Sequence, residues 1–302
     1  MQIEWAWPRN VPRITVEENP ILLEGDAPCR VLLFHGLTGT PTEFAFLAHF
    51  LHRRGRLSVE CPALANHGQP LAILARTRWE EILEGARIRL RSARVRATRD
   101  RATLIVGGLS LGAILSLILA AESPNEVDGI IALSPTLFYD GWSVPWSQRL
   151  IGLADYSPFK YLIYLRERPP YGLKDETLRR RVAAAFECTK LGHDERATEL
   201  GYTHFPLRLF CEMRHLIALC KRTLTKVRAP LLVVHAIEDD VTSPRNADYI
   251  LMHTGSEKRR LLLLNNSYHL ITADLDRMQV ASAMAAFCLD LRKAERHASE
   301  AV

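Results

Sequence analysis

The segment Gly108-Leu109-Ser110-Leu111-Gly112 sets a serine between two glycines, each two residues away. It follows the β-branched run Leu104-Ile105-Val106 and leads into an apolar stretch, Leu111 to Ala121. The serine therefore sits where a strand turns sharply into a helix. Side chains two positions either side of such a turn would collide, and the serine itself must take a strained backbone conformation. The turn lifts the hydroxyl to the carboxyl end of a strand and aims a helix N-terminus at whatever approaches it. A serine hydroxyl is a weak nucleophile until a base removes its proton. The base, a histidine, needs a carboxylate to fix its tautomer.

Both partners are expected downstream, in the order serine, acid, histidine. Leu231 to His235 reads as a strand running into the acidic turn Glu238-Asp239-Asp240. Leu261 to Leu264 reads as a later strand followed by Asn265-Asn266-Ser267-Tyr268-His269. Acid and histidine thus each fall just past a strand's carboxyl end, where functional groups gather in open α/β sheets. Of the eleven histidines, His269 has the position of the base. His235 lies within a strand and reads as structural, while His193, His204, His215 and His253 have no matching acid. Neighbouring side chains in an extended turn diverge, so one acid reaches the histidine: Asp239 is favoured and Asp240 is the alternative.

Developing negative charge on an attacked carbonyl needs two N–H donors. The backbone of Leu111, the residue after the serine, is one candidate. The loop His35-Gly36-Leu37-Thr38-Gly39-Thr40-Pro41 supplies the other, with the Leu37 N–H as the donor. Taken alone this loop is an ordinary glycine-rich turn. Beside the serine pentapeptide, Gly36 and Leu37 read as backbone that approaches a substrate closely.

These groups need a scaffold, and the hydrophobic pattern provides one. Strands are expected at 21–24, 30–34, 57–61, 104–106, 129–133, 231–235 and 260–264, and helices at 41–54, 78–94, 111–121 and 278–292. This alternation predicts a mostly parallel, doubly wound α/β sheet with helices on both faces. The first twenty or so residues read as an irregular extension. The stretch 137–227 breaks the rhythm: it is rich in aromatics (Phe138, Tyr139, Trp142, Trp146, Tyr156, Phe159, Tyr161, Tyr164, Tyr171) and carries helical patterns near 175–186 and 207–224. It reads as a lid inserted into a core made of 1–136 and 228–302. Phe138 and Trp142 are candidates for an apolar substrate pocket, although such aromatics also serve simply to pack a lid on its core.

Composition narrows the function classes. The chain has 302 residues, 48% of them hydrophobic, enough for one large domain. A net charge of +5 is no nucleic-acid signature. Arginines do cluster at 76, 78, 87, 89, 91, 94, 96, 99 and 101. A solvated helix face is the ordinary explanation of such a run, and an anionic partner such as an acyl carrier protein or a membrane surface is the sharper one. Six scattered cysteines form no CxxC pair, so no metal site is expected and reduced thiols are. No secretory pattern stands at the start, which makes a cytoplasmic location the expectation. The uncharged run 102–121 has the length of a membrane span. Gly107, Gly108 and Gly112 inside it favour a strand, a turn and a buried helix instead.

HGLTGTP after a strand, PALANHG near residue 65, GLSLG, HAIEDDVTSP and SYHLITAD together resemble the α/β-hydrolase superfamily, and within it the bacterial carboxylesterases and monoacylglycerol lipases. The likeness covers roughly residues 20–136 and 228–295. It implies Ser110, Asp239 and His269 as a catalytic triad, Leu37 and Leu111 as oxyanion donors, and no cofactor. Asn66 departs from the glycine usual before His-Gly in that group, and His67 reads as structural. The expected substrate is a small carboxylic ester with an apolar acyl chain. An acyl-thioesterase or acyltransferase using carrier-protein or coenzyme A thioesters is one alternative, and a non-catalytic binding protein on the same scaffold is another.

Overall fold

The computed structural model describes residues 3–5, 20–145, 157–187 and 201–300. Strands β1 (Ile3–Trp5), β2 (Ile21–Leu23), β3 (Cys29–Phe34), β4 (Ser58–Cys61), β5 (Thr103–Leu109), β6 (Gly129–Leu133), β7 (Ile163–Arg166), β8 (His204–Pro206), β9 (Leu231–Ala236) and β10 (Arg259–Leu264) form two sheets. The larger runs β10-β9-β6-β5-β3-β4-β2. Every pairing in it is parallel except that of β2 with β4, at one edge. The expected doubly wound α/β sheet is therefore present, with β5 between β3 and β6.

The strand sequences explain this burial. β3, β5, β6 and β9 are buried at every position, as parallel strands covered on both faces must be. Alternate residues feed opposite layers. Leu32, Leu104, Ile130 and Leu231 pack toward helices α3 (Trp79–Arg99), α4 (Leu111–Glu122) and α6 (Leu207–Thr223). Val31, Ile105, Ile131 and Leu232 pack toward α1 (Ala45–Gly55) and α8 (Arg277–Glu300). Helix α4 is buried on all sides from Leu111 to Ala121, because it lies between the sheet and α6. The run 102–121 is thus a strand, a turn and a core helix, and no helix among the described residues is long and apolar enough to cross a membrane.

Several expectations need adjustment. The predicted helix at 41–54 begins as a 3-10 turn, Pro41–Phe44, before α1. Two short helices, α2 (Leu71–Leu74) and α7 (Arg245–His253), have too few periodic residues to stand out in sequence. The first residues are not wholly irregular, for β1 pairs antiparallel with β7, and β7 with β8. Within 137–227 the two expected helices are α5 (Glu176–Glu187) and α6. Trp146, Tyr156, His193 and Cys188 lie outside the described residues, as does the side chain of Phe159. The other five cysteines are buried free thiols.

The arginine run lies on α3 and just before and after it, and much of its charge is neutralised within the chain. Arg87 pairs with Glu122 at 2.8 Å, Arg91 with Glu84 at 2.9 Å, Arg94 with Asp128 at 2.8 Å and Arg99 with Asp100 at 2.8 Å. Arg96 pairs with Glu60.

Candidate active site

The sheet register brings the carboxyl ends of four strands to one level. Phe34 lies beside Gly108, Leu109 beside Leu133, and Leu133 beside Val234. The loops that follow carry His35–Leu37, Ser110, Ser134–Thr136 and Glu238–Asp240, with His269 after β10.

Ser110 takes φ 56° and ψ −109°, a left-handed conformation strained for a side chain that is not glycine. Its neighbours explain why glycine stands either side. A methyl on Gly112 would overlap the Phe34 carbonyl, and one on Gly108 would overlap the Gly112 backbone. Ser110 N–H donates to Leu133 O at 2.9 Å, which ties the turn to β6. The hydroxyl lies 2.8 Å from Thr136 Oγ1, and Thr136 Oγ1 in turn lies 3.3 Å from Ser134 O.

The structure brings Asp239 and His269 together. Asp239 Oδ2 is 2.9 Å and Oδ1 is 3.1 Å from His269 Nδ1. Asp239 Oδ1 also accepts the N–H groups of Val241 at 2.9 Å and Thr242 at 2.8 Å, while Oδ2 accepts Thr242 Oγ1 at 3.1 Å. Burial alone would raise this carboxyl, but His269 and the donor cluster outweigh it and hold it below the usual carboxylate range. Burial likewise pushes the His269 imidazole down, and the contact with Asp239, helped by Asp240 and Glu43, leaves it above its ordinary value. Asp240 does a different job: its Oδ1 accepts the His269 backbone N–H at 3.2 Å. Burial and the adjacent Asp239 raise it.

The loop after β3 is pinned one peptide group at a time. Gly36 N–H donates to Glu43 Oε2 at 2.9 Å. The His35 ring accepts Leu64 N–H at Nε2, so its Nδ1 carries the proton and donates to Gly36 O at 2.8 Å. His67 Nε2 lies 2.7 Å from Leu37 O, and Tyr202 N–H donates to Thr38 O at 3.1 Å. The Leu37 N–H has no partner among the described residues. Leu111 opens α4, where a backbone N–H has no acceptor within the helix.

Of the remaining sequence candidates, Trp142 sits at the rim. It is 61% exposed, its indole N–H donates to Glu238 O at 2.9 Å, and its ring meets Tyr268 edge-on at 5.3 Å. Phe138 is placed elsewhere: its ring meets Tyr249 at 5.4 Å and lies beneath Lys221 and Arg245. It packs against the core cluster that includes Leu37 and Leu111. His235 is buried in β9, where Nδ1 lies 2.9 Å from Ala236 O and Nε2 lies 3.3 Å from Thr242 Oγ1. Sequence reasoning missed Glu43, Thr136, Thr242 and Glu167. Glu43 alone left a trace, as an acid one turn after a loop with glycines at 36 and 39. Burial lifts both Glu43 and Glu167 to about 7, against the opposing pull of the His269 charge on each.

A family model described as serine aminopeptidase, S33, matches residues 26–276, a span that takes in all of these groups. The chain belongs to that family. It is a serine hydrolase of the α/β-hydrolase fold. Its sequence is 26% identical over 258 residues to the thermostable monoacylglycerol lipase of Bacillus sp. (strain H-257), covering 84% of this chain and 88% of that one. It is 24% identical over 251 residues to the carboxylesterase of Bacillus subtilis (strain 168), covering 82% and 87%. Among solved structures, a metagenome-derived lipolytic enzyme from the LipS and LipT work superposes with TM-score 0.72 at 24% identity, over 90% of this chain and 97% of the other. Monoglyceride lipase from Saccharomyces cerevisiae gives TM-score 0.75 at 15% identity, over 95% and 98%.

Proposed function

We propose that this hydrolase cleaves carboxylic esters with an apolar acyl group through an acyl-enzyme on Ser110. The observation that carries this reading is the Asp239 contact to His269 Nδ1 at 2.9 Å, in a chain whose Ser110 is held at a strained strand-to-helix turn. Nδ1 is thereby the protonated ring nitrogen, which leaves Nε2 as the base. His269 removes the Ser110 proton as the oxygen attacks the carbonyl. The N–H groups of Leu37 and Leu111 take the oxyanion. His269 then protonates the departing alcohol. A water deprotonated by the same imidazole attacks the acyl-enzyme, and the carboxylic acid leaves with Ser110 restored. Asp239 keeps its charge throughout and stabilises the imidazolium.

Segment 137–227 acts as the lid in this reading. Its Trp142 lies against Tyr268 next to His269, and with Leu37 and Leu111 it supports an apolar approach to the serine. The two curated relatives above, a monoacylglycerol lipase and a carboxylesterase, favour an oxyester over a thioester. The test is a panel of p-nitrophenyl acyl esters of graded chain length run beside matched thioesters, with Ser110→Ala as control and a fluorophosphonate to label the serine. Oxyester turnover that rises with acyl length and vanishes in Ser110→Ala is the expected result. A large thioester preference would overturn the ester assignment. Unlabelled Ser110 would return the chain to the class of binding proteins on a hydrolase scaffold.

A further inference from the structure

Glu43 is an acid that the reaction above does not use, and its position is built rather than incidental. It stands in the 3-10 turn Pro41–Phe44 and folds back seven residues, so that Oε2 accepts Gly36 N–H at 2.9 Å. The space it fills exists because residue 39 is glycine: a methyl there would overlap Glu43 Oε1. A methyl on Gly36 would lie 3.5 Å from Oε2 and 3.8 Å from Ser110 Cβ, so the carboxyl and the serine flank the same peptide. No lysine or arginine pairs with Glu43 among the described residues. The ionisable side chain whose charge acts on it is His269.

The hydrogen bond bears on the next peptide. Gly36 N–H and Gly36 C=O are both held, by Glu43 and by His35 Nδ1, so the plane containing Leu37 N–H has little freedom. Glu43 fixes the preceding plane through Gly36 N–H; with that bond released, rotation about the Gly36 φ and ψ would strain its carbonyl bonds to His35 and Gly39 and let Leu37 N–H stray from the acyl oxygen. A donor misplaced by about an ångström loses much of its effect on the transition state.

We propose that Glu43 is a positioning residue for this reaction: its carboxyl pins Gly36 so that the Leu37 N–H is presented to the acyl carbonyl, and its charge bears on His269. The proposal rests on the triad and oxyanion assignment made above. Burial pushes the Glu43 carboxyl up to about 7, so its charge changes within the working range of an esterase. His269 also faces Asp239, Asp240, Glu167 and His235. Those four groups stay in place when Glu43 is changed.

Three variants separate hydrogen bond, charge and fold. Glu43→Ala removes both acceptor and charge. Glu43→Gln keeps an acceptor for Gly36 and removes the charge. Gly39→Ala keeps the carboxyl but evicts it, and since the overlap is with the end of a flexible side chain the fold should persist. kcat and KM on a p-nitrophenyl ester are measured across pH. Glu43→Ala and Gly39→Ala are expected to lose about 10- to 100-fold in kcat with KM within about threefold, less than the 10²–10³ for deleting an oxyanion donor outright. Glu43→Gln should keep kcat within about threefold at its plateau. Its ascending pH limb should move to lower pH, because a negative charge that favoured the imidazolium is gone. Wild-type-like kcat in Glu43→Ala, a Glu43→Gln as poor as Glu43→Ala, or an unmoved limb in Glu43→Gln would each overturn the proposal. Endpoint labelling of wild-type Ser110 by fluorophosphonate reports the triad assignment separately. Labelled enzyme with a flat Glu43 series refutes the positioning role alone, and unlabelled enzyme refutes both.

Discussion

Replacing Asp239 by asparagine puts the assignment of acid and base under direct strain. The substitution is nearly isosteric, and what it does depends on which way the amide faces. Asp239 Oδ1 accepts two backbone N–H groups, from Val241 at 2.9 Å and Thr242 at 2.8 Å. An amide nitrogen placed there would oppose two donors, so the carbonyl of the new side chain keeps that position. Its NH₂ then occupies the place of Oδ2, 2.9 Å from His269 Nδ1. A donor facing Nδ1 forces the ring proton to Nε2, the nitrogen that must accept the serine proton. The active tautomer is lost and the imidazolium loses its counter-charge. Together these should cost on the order of 10⁴ in kcat, or about 5 kcal/mol. Asp240→Asn keeps the His269 ring contact and weakens only the bond to the His269 backbone N–H, at 3.2 Å, so a loss of about tenfold is expected. Steady-state kcat/KM on one ester, with circular dichroism to confirm folding, reads both. A loss below tenfold in Asp239→Asn, or a larger loss in Asp240→Asn, would refute the reasoning.

Four further outcomes follow from the same geometry. The base must be neutral to act, and Asp239 holds the His269 cation stable, so kcat/KM should rise with pH along a limb above the ordinary imidazole range. In Asp240→Asn, which removes a charge favouring that cation, the limb should move to lower pH, and a move to higher pH would contradict the assignment. Gly112→Ala forces a methyl into the Phe34 carbonyl, a backbone atom that cannot retreat, so it should lower stability by several kcal/mol in urea unfolding. Thr136→Val removes the hydroxyl 2.8 Å from Ser110 Oγ while keeping shape. Freed from a bond of about 1 kcal/mol, the serine should label with fluorophosphonate up to about fivefold faster. Slower labelling would show that Thr136 holds the hydroxyl in its reactive orientation instead.

The spacing of the candidate triad is readable in sequence because its causes are local. The glycines at 108 and 112 announce a tight turn, and β9 and β10 are apolar runs whose ends place Asp239 and His269 without knowledge of the rest. Between Asp239 and Asp240 the sequence supports only a preference, since direction within a turn depends on the backbone bonds of Val241 and Thr242. What stays hidden depends on distant pairing. β1 exists only as the partner of β7, more than a hundred residues on, and three-residue strands carry no periodicity. Thr136 and Glu43 are ordinary residues in ordinary turns until the sheet register sets them beside Ser110. The ring partner of Phe138 is hidden in the same way: Tyr249 lies more than a hundred residues on.

The stretch between β6 and β9 is bonded to every loop that bears a functional group. Tyr202 N–H holds Thr38, Gly172 O accepts Leu270 N–H at 2.8 Å beside His269, and Gly141 and Ser143 bond Val241 and Asp240. Lys174 and Asp175 N–H groups bond Asp274 at 2.8 and 2.9 Å. A protein engineer who exchanged this stretch for that of a relative, hoping to transplant substrate preference alone, would also be re-seating Asp240, Val241, Leu270 and the loop at Thr38. Divergence is therefore constrained here: a replacement stretch must bring its own fasteners at residues 38, 240, 241 and 270, or arrive together with compensating changes in the core.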